Sequence, residues 1–108
     1  MNVSIREAIE MEPASDIDIS RAIELYLKHY PGKNDEEFDS HFGSAIAPIA
    51  RAQVRAILDQ AMRVEVDWTG RTLVEGGEVV KSVMRDRHPE LSPQAIASIG
   101  HYYTYLMR

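Results

Sequence analysis

The feature that most constrains this chain is the recurrence of helix-opening signals followed by apolar residues three and four positions apart. The clearest case is C-terminal: Ser92 stands where a cap belongs and Pro93 at the first helical position. Ile96, Ile99, Tyr103 and Leu106 then share one face. A helix satisfies both signals at once. The serine oxygen takes up a free first-turn amide, and proline loses nothing where no intrahelical bond would form.

The same reading applied upstream predicts further helices. Ser4-Ile5-Arg6-Glu7 has the form of a capping box, with Ile5, Ala8 and Ile9 behind it and Pro13 as the stop. A start at Ser15-x-x-Asp18 leads into a second helix reaching about Tyr30, with the stripe Ile19, Ile23, Tyr26, Leu27 and Tyr30. Pro31-Gly32 ends it. Asn34 caps a short acidic helix in which Phe38 and Phe42 stand four apart, and Gly43 ends that one. The longest segment, about Ser44 to Arg63, carries Ile46, Ile49, Ala50, Val54, Ile57, Leu58 and Ala61 on one face. Pro48 fits there only near the start, where a missing amide costs least.

Residues 64–75 are ambiguous. Val64, Val66 and Trp68 alternate with Glu65 and Asp67 in a strand-like way, and Gly70-Arg71 could turn a hairpin. Thr72-x-x-Glu75 is instead a capping box, and Leu73, Gly77, Val80, Met84 and Arg87 continue at helical period. The favoured reading is an extended linker through Trp68, then a helix over about 72–87. Gly76-Gly77 weakens that helix by about 1 kcal/mol per glycine, and lets a neighbour come close. The expected fold is all-α: one domain over residues 1–108, a small bundle of about five or six helices, with a short extended or hairpin segment at 64–75.

With 108 residues, 44% of them apolar, the chain can bury a core without covalent staples. It has no cysteine, which removes disulfides, thiolate metal sites and a cysteine nucleophile together. Arg6, Glu7, Glu10 and Glu12 interrupt any apolar leader, and no run approaches the roughly 18 apolar residues of a membrane span. A cytoplasmic location, with no membrane contact, is the expectation.

Sites for chemistry were sought by spacing. The histidines His29, His41, His88 and His101 are never three or four apart, so no two share a helix face as metal ligands. Asp16-Ile17-Asp18-Ile19-Ser20 imitates the start of a calcium loop. Its sixth position is Arg21, where the turn needs glycine, and its twelfth is Leu27, where the ion needs glutamate. Pro31-Gly32-Lys33-Asn34 lacks the earlier glycine of a phosphate loop. Asp39-Ser40-His41 sets three triad residue types side by side, but neighbours on a helix point about 100° apart and cannot relay a proton. No cofactor, metal or catalytic residue is assigned, and the chain is read as a non-enzyme.

What remains is surface. Residues 1–39 hold ten acids against four bases, giving −6 there and +1 over the rest. Such a region repels phosphate backbones and attracts basic partners. Arg51 and Arg55, with Arg85 and Arg87, form only a modest basic patch, although the turn between residues 85 and 95 could serve a small DNA-binding regulator. Tyr102, Tyr103 and Tyr105 crowd the last helix and cannot all face one core. Tyrosine and tryptophan offer wide contact with a polar tip, so Tyr102, Tyr105 and Trp68 are anchor candidates for a partner.

The stretch HPELSPQAIASIGHYYTYLMR, residues 88–108, with Asp67-Trp68-Thr69-Gly70 and Thr72-Leu73 before it, resembles the C-terminal part of small acidic bacterial immunity proteins. These belong to contact-dependent inhibition and other polymorphic-toxin loci. The resemblance covers residues 67–108 and implies a mode of action: tight stoichiometric binding of a cognate toxin domain, often a nuclease with a basic groove. On that reading Asp35, Glu36, Glu37 and Asp39 supply the electrostatic match. The alternative is a helical interaction module, such as a homodimer built on the tyrosine-bearing helix.

Overall fold

The computed structural model describes residues 17–108, and these form four helical elements with no strand among them. Helix α1 is Ile19–Tyr26, α2 is Asp35–Met62, α3 is Leu73–Arg87 and α4 is Pro93–Met107. The all-α class stands; the number of elements is lower than expected. The acidic helix and the long helix run as one element, α2, bent at Gly43, and the helix expected to open at Ser4 lies outside the described residues.

Each helix start has a visible cause. Asp18, rather than Ser15, caps α1: its carboxylate accepts from the Arg21 amide at 3.1 Å. Ser15 lies outside the described residues. The helix stops at Tyr26 rather than Tyr30, and residues 27–30 continue as hydrogen-bonded turns. Asn34 precedes α2 as expected, yet its side chain does not cap that helix. Its Nδ2 donates to the Leu25 carbonyl at 2.9 Å, satisfying one of the orphan acceptors at the end of α1. The Thr72 box closes in both directions, with the Glu75 amide on the threonine oxygen at 3.2 Å and the Thr72 amide on the glutamate at 2.8 Å. The segment before it, residues 64–68, has no regular secondary structure and is not half of a hairpin.

The bend in α2 matters most for the surface. Gly43 has φ 82° and ψ 159°, a backbone that side chains with a Cβ rarely adopt. On a straight helix Asp39 and Arg51 would be separated by roughly 18 Å of rise. Their side chains instead meet at 2.7 Å, so the first limb folds back over the second. Pro48 stands five residues past the bend. The amide it lacks would have bonded the Ser44 carbonyl, so one bond is missing near the start of the second limb.

Helix α4 is the centre of the fold. It packs against α3, α1 and α2, and buries Ala95, Ile96, Ile99, Gly100 and Tyr103. Helix α1 lies between α2 and α4, contributing Ala22, Ile23 and Leu25. Phe38, Ala47, Ala50, Val54, Ile57, Leu58 and Ala61 of α2 and Val80 and Met84 of α3 complete the core. Two expected core residues face out: Ile49, displaced by Ala47, and Leu106, which lies past the end of the packed seam at 44% exposure.

The α3–α4 seam depends on small residues. A Cβ on Gly77 would stand 2.6 Å from the Thr104 methyl, and one on Gly100 the same distance from Lys81 Cδ. At the other end of α4, Ser92 ties the helix to α1. Its amide donates to Ser20 Oγ at 2.8 Å and its hydroxyl to Glu24 Oε2 at 2.9 Å, while its oxygen caps Ala95 at 3.0 Å. Ser92→Ala is therefore expected to cost about 2 kcal/mol, at the upper end for a lost cap. Urea denaturation measures it; Ser92→Asp should recover the cap but repel Glu24.

Candidate protein-binding surface

The acidic candidates are gathered on the first limb of α2, but three of the four are paired, with two cations between them. The Arg51 guanidinium reaches Asp39 at 2.7 Å and Asp35 at 3.8 Å, and lies over the Phe38 ring at 4.8 Å. Lys28 forks onto Glu37 at 2.9 and 3.0 Å, and this hydrogen bond holds the Glu37 carboxyl below its ordinary range. Glu36 is exposed and forms no ion pair among the described residues. Exposed pairs of this kind contribute little to stability, ~0–1 kcal/mol each. Their main effect here is to blunt the negative patch.

The tyrosine candidates are brought together by a residue from another helix's end. Tyr30 meets the tilted ring of Tyr102 at 4.9 Å between centroids and packs edge-on with Tyr105 at 5.3 Å. Burial in this cluster raises the Tyr30 and Tyr102 phenols above their ordinary value. Tyr103, between them in sequence, points inward and is buried. Arg108 covers the remaining side of Tyr105 at 4.5 Å. Tyr102 and Tyr105 thus pack within the chain and are half-buried rather than freely projecting.

Trp68 is different. Its ring lies on Gly76, where a Cβ would collide with it, and the side chain is still 41% exposed. Gly76→Ala should gain helix propensity of about 1 kcal/mol yet push the indole into solvent. As Trp68 is the sole tryptophan, its emission reports this directly. A shift to longer wavelength is expected, with little net change in melting temperature.

Around Trp68 lie exposed apolar side chains that helical spacing does not pick out. Among the described residues the exposed large apolar side chains are Ile49, Trp68, Val74, Leu106 and Met107. All but Ile49 lie at the open end of the α3–α4 hairpin, where α3 starts and α4 finishes. Val74 is 70% exposed. Beside them a cleft of about 420 Å³ runs between the two helices, with Leu73, Val74 and Tyr105 among its lining residues and Gly77, Ala97 and Gly100 along it. A signal was present in the sequence: Leu73-Val74 and Leu106-Met107 are adjacent apolar pairs, and one member of each pair must leave the buried face of a helix.

Among the described residues no three of His, Asp and Glu gather as a metal site, and no helix is long and apolar enough to cross a membrane. No family model matches the chain, and neither curated proteins nor solved structures give a match.

Proposed function

We propose that this chain works by contact rather than by chemistry: it is a stoichiometric protein-binding factor, an immunity-type inhibitor that covers a cognate toxin domain. The observation that carries the reading is the concentration of exposed apolar side chains, Trp68, Val74, Leu106 and Met107, at one end of one hairpin. Isolated apolar residues on a surface need no explanation; a cluster beside a cleft marks an interaction site. The resemblance of residues 67–108 to immunity proteins supports the toxin as partner, and this same stretch carries the cluster. The partly neutralised acids of α2 serve as the rim in this reading, with Glu36 the residue left to meet a basic groove.

The test is co-expression with the C-terminal domain of the large protein encoded immediately upstream. The reading expects a one-to-one complex and survival of cells that make the toxin domain. Separate elution of the two chains, with no protection, would sink it.

A second reading is favoured by Gly77, Ala97 and Gly100 along the cleft, since small residues let a helix from a second copy approach closely. That reading expects the pure protein to run at twice its 12.2 kDa mass, with no partner present.

A further inference from the structure

A second cleft, of about 360 Å³, lies between the end of α1, the turn at residues 31–34 and the elbow of α2. Three cations line it, Lys33, Arg51 and Arg55, against the single carboxylate of Asp35, in a chain whose net charge is −5. The two arginines are held very differently. Arg51 is committed to Asp39, Asp35 and the Phe38 ring. Arg55 has no carboxylate partner among the described residues. Its one side-chain bond is from Nε to the Tyr26 hydroxyl at 3.5 Å, which steadies the guanidinium and leaves its two terminal nitrogens unused. Those nitrogens form a planar fork that matches a carboxylate or a phosphate. Beside the fork, Tyr26 and Tyr30 supply aromatic walls.

We infer that this cleft binds a small oxyanion carried on a flat apolar ring, a carboxylate or phosphate monoester of an aromatic group. The Arg55 fork takes the oxyanion, Lys33 adds charge, and the ring lies against Tyr26 and Tyr30. A cleft of this volume is of the size that holds small ligands. Nothing in this assignment requires the protein-binding role, whose apolar contacts lie on α3, α4 and Trp68.

The test is a nuclear magnetic resonance titration of the full chain with phenyl phosphate, benzoate, inorganic phosphate and phenol. It follows the Arg55 Nε–H signal and the ring signals of Tyr26 and Tyr30. Phenyl phosphate or benzoate should move all three saturably, and whichever binds more tightly identifies the oxyanion. Inorganic phosphate and phenol, each carrying half of the recognised chemistry, should bind at least about tenfold more weakly. Arg55 is exposed and glutamine is a good helix former, so Arg55→Gln should keep the native circular dichroism while lowering affinity at least about tenfold. Arg55→Lys, which keeps charge without the fork, should fall between. No saturable shift with either aromatic anion, equal binding of inorganic phosphate, or full affinity in folded Arg55→Gln would each overturn the assignment.

Discussion

Replacing Val74 and Leu106 together by aspartate is expected to abolish partner binding while leaving the fold intact. Both side chains project from the hairpin end, at 70% and 44% exposure, and neither belongs to the core cluster. Substitutions at such positions usually change stability by no more than about 0.5 kcal/mol. In a complex each aspartate would place a carboxylate inside a desolvated apolar contact. Central contacts of this type lose about 2 kcal/mol or more when removed, so the pair should weaken binding by roughly a thousandfold. Isothermal titration with the proposed partner domain measures the loss. Aspartate at Ile49, an exposed apolar residue of α2 outside the hairpin end, is the matched control and should leave affinity near wild type. Unchanged affinity of the double variant would move the binding surface elsewhere.

The largest effect on stability is expected from Phe38→Ala. Phe38 is 1% exposed, meets the edge of Tyr26 at 6.1 Å and the tilted ring of Phe42 at 4.9 Å, and carries the Arg51 guanidinium on its face. Removing it leaves a cavity at the elbow where the two limbs of α2 and the end of α1 come together. Core phenylalanine truncations cost about 3–5 kcal/mol, a large share of the ~5–15 kcal/mol by which a domain is stable. Arg51 would also lose the ring that supports it, so its pairs with Asp35 and Asp39 should loosen. A denaturant titration with an unchanged slope and a lower midpoint is the expected outcome. A loss under about 1 kcal/mol would mean that the elbow collapses to refill the space.

What the sequence made legible was local. The caps at Thr72 and Ser92, the proline at position 93, the break at Gly43 and the inward face Ile96, Ile99, Tyr103 depend on neighbours within one or two turns. Spacing alone reports those neighbours. What it could not report was set by chain segments meeting at a distance. Asn34 reads as a cap for the helix after it, but the end of α1 came close enough to take its side chain. Leu106 continues a valid stripe, but it stands in the last turn of α4, where the leucine is left exposed. Glu37 and Asp39 read as free acids because Lys28 and Arg51 lie nine and twelve residues away, and only the turn after α1 and the bend at Gly43 bring them in. Tyr102 and Tyr105 stand three apart and so share a face. That Tyr30 would fill it follows from the packing of α1 on α4.

The site was legible to the same extent. Trp68 stands exposed, whereas Val74 and Met107 break the period of their helices and are signalled only by the apolar neighbour beside each. Asp35, Glu37, Asp39, Tyr102 and Tyr105 also have partners within the chain, in Lys28, Arg51 and Tyr30.

Amide hydrogen exchange across the chain, free and in complex with the partner domain, addresses the binding surface most directly. New protection is expected over residues 68–78 and 101–108, with the α1–α2 elbow unchanged. Protection confined to the first limb of α2, or spread over no contiguous surface at all, would contradict a hairpin-end interface.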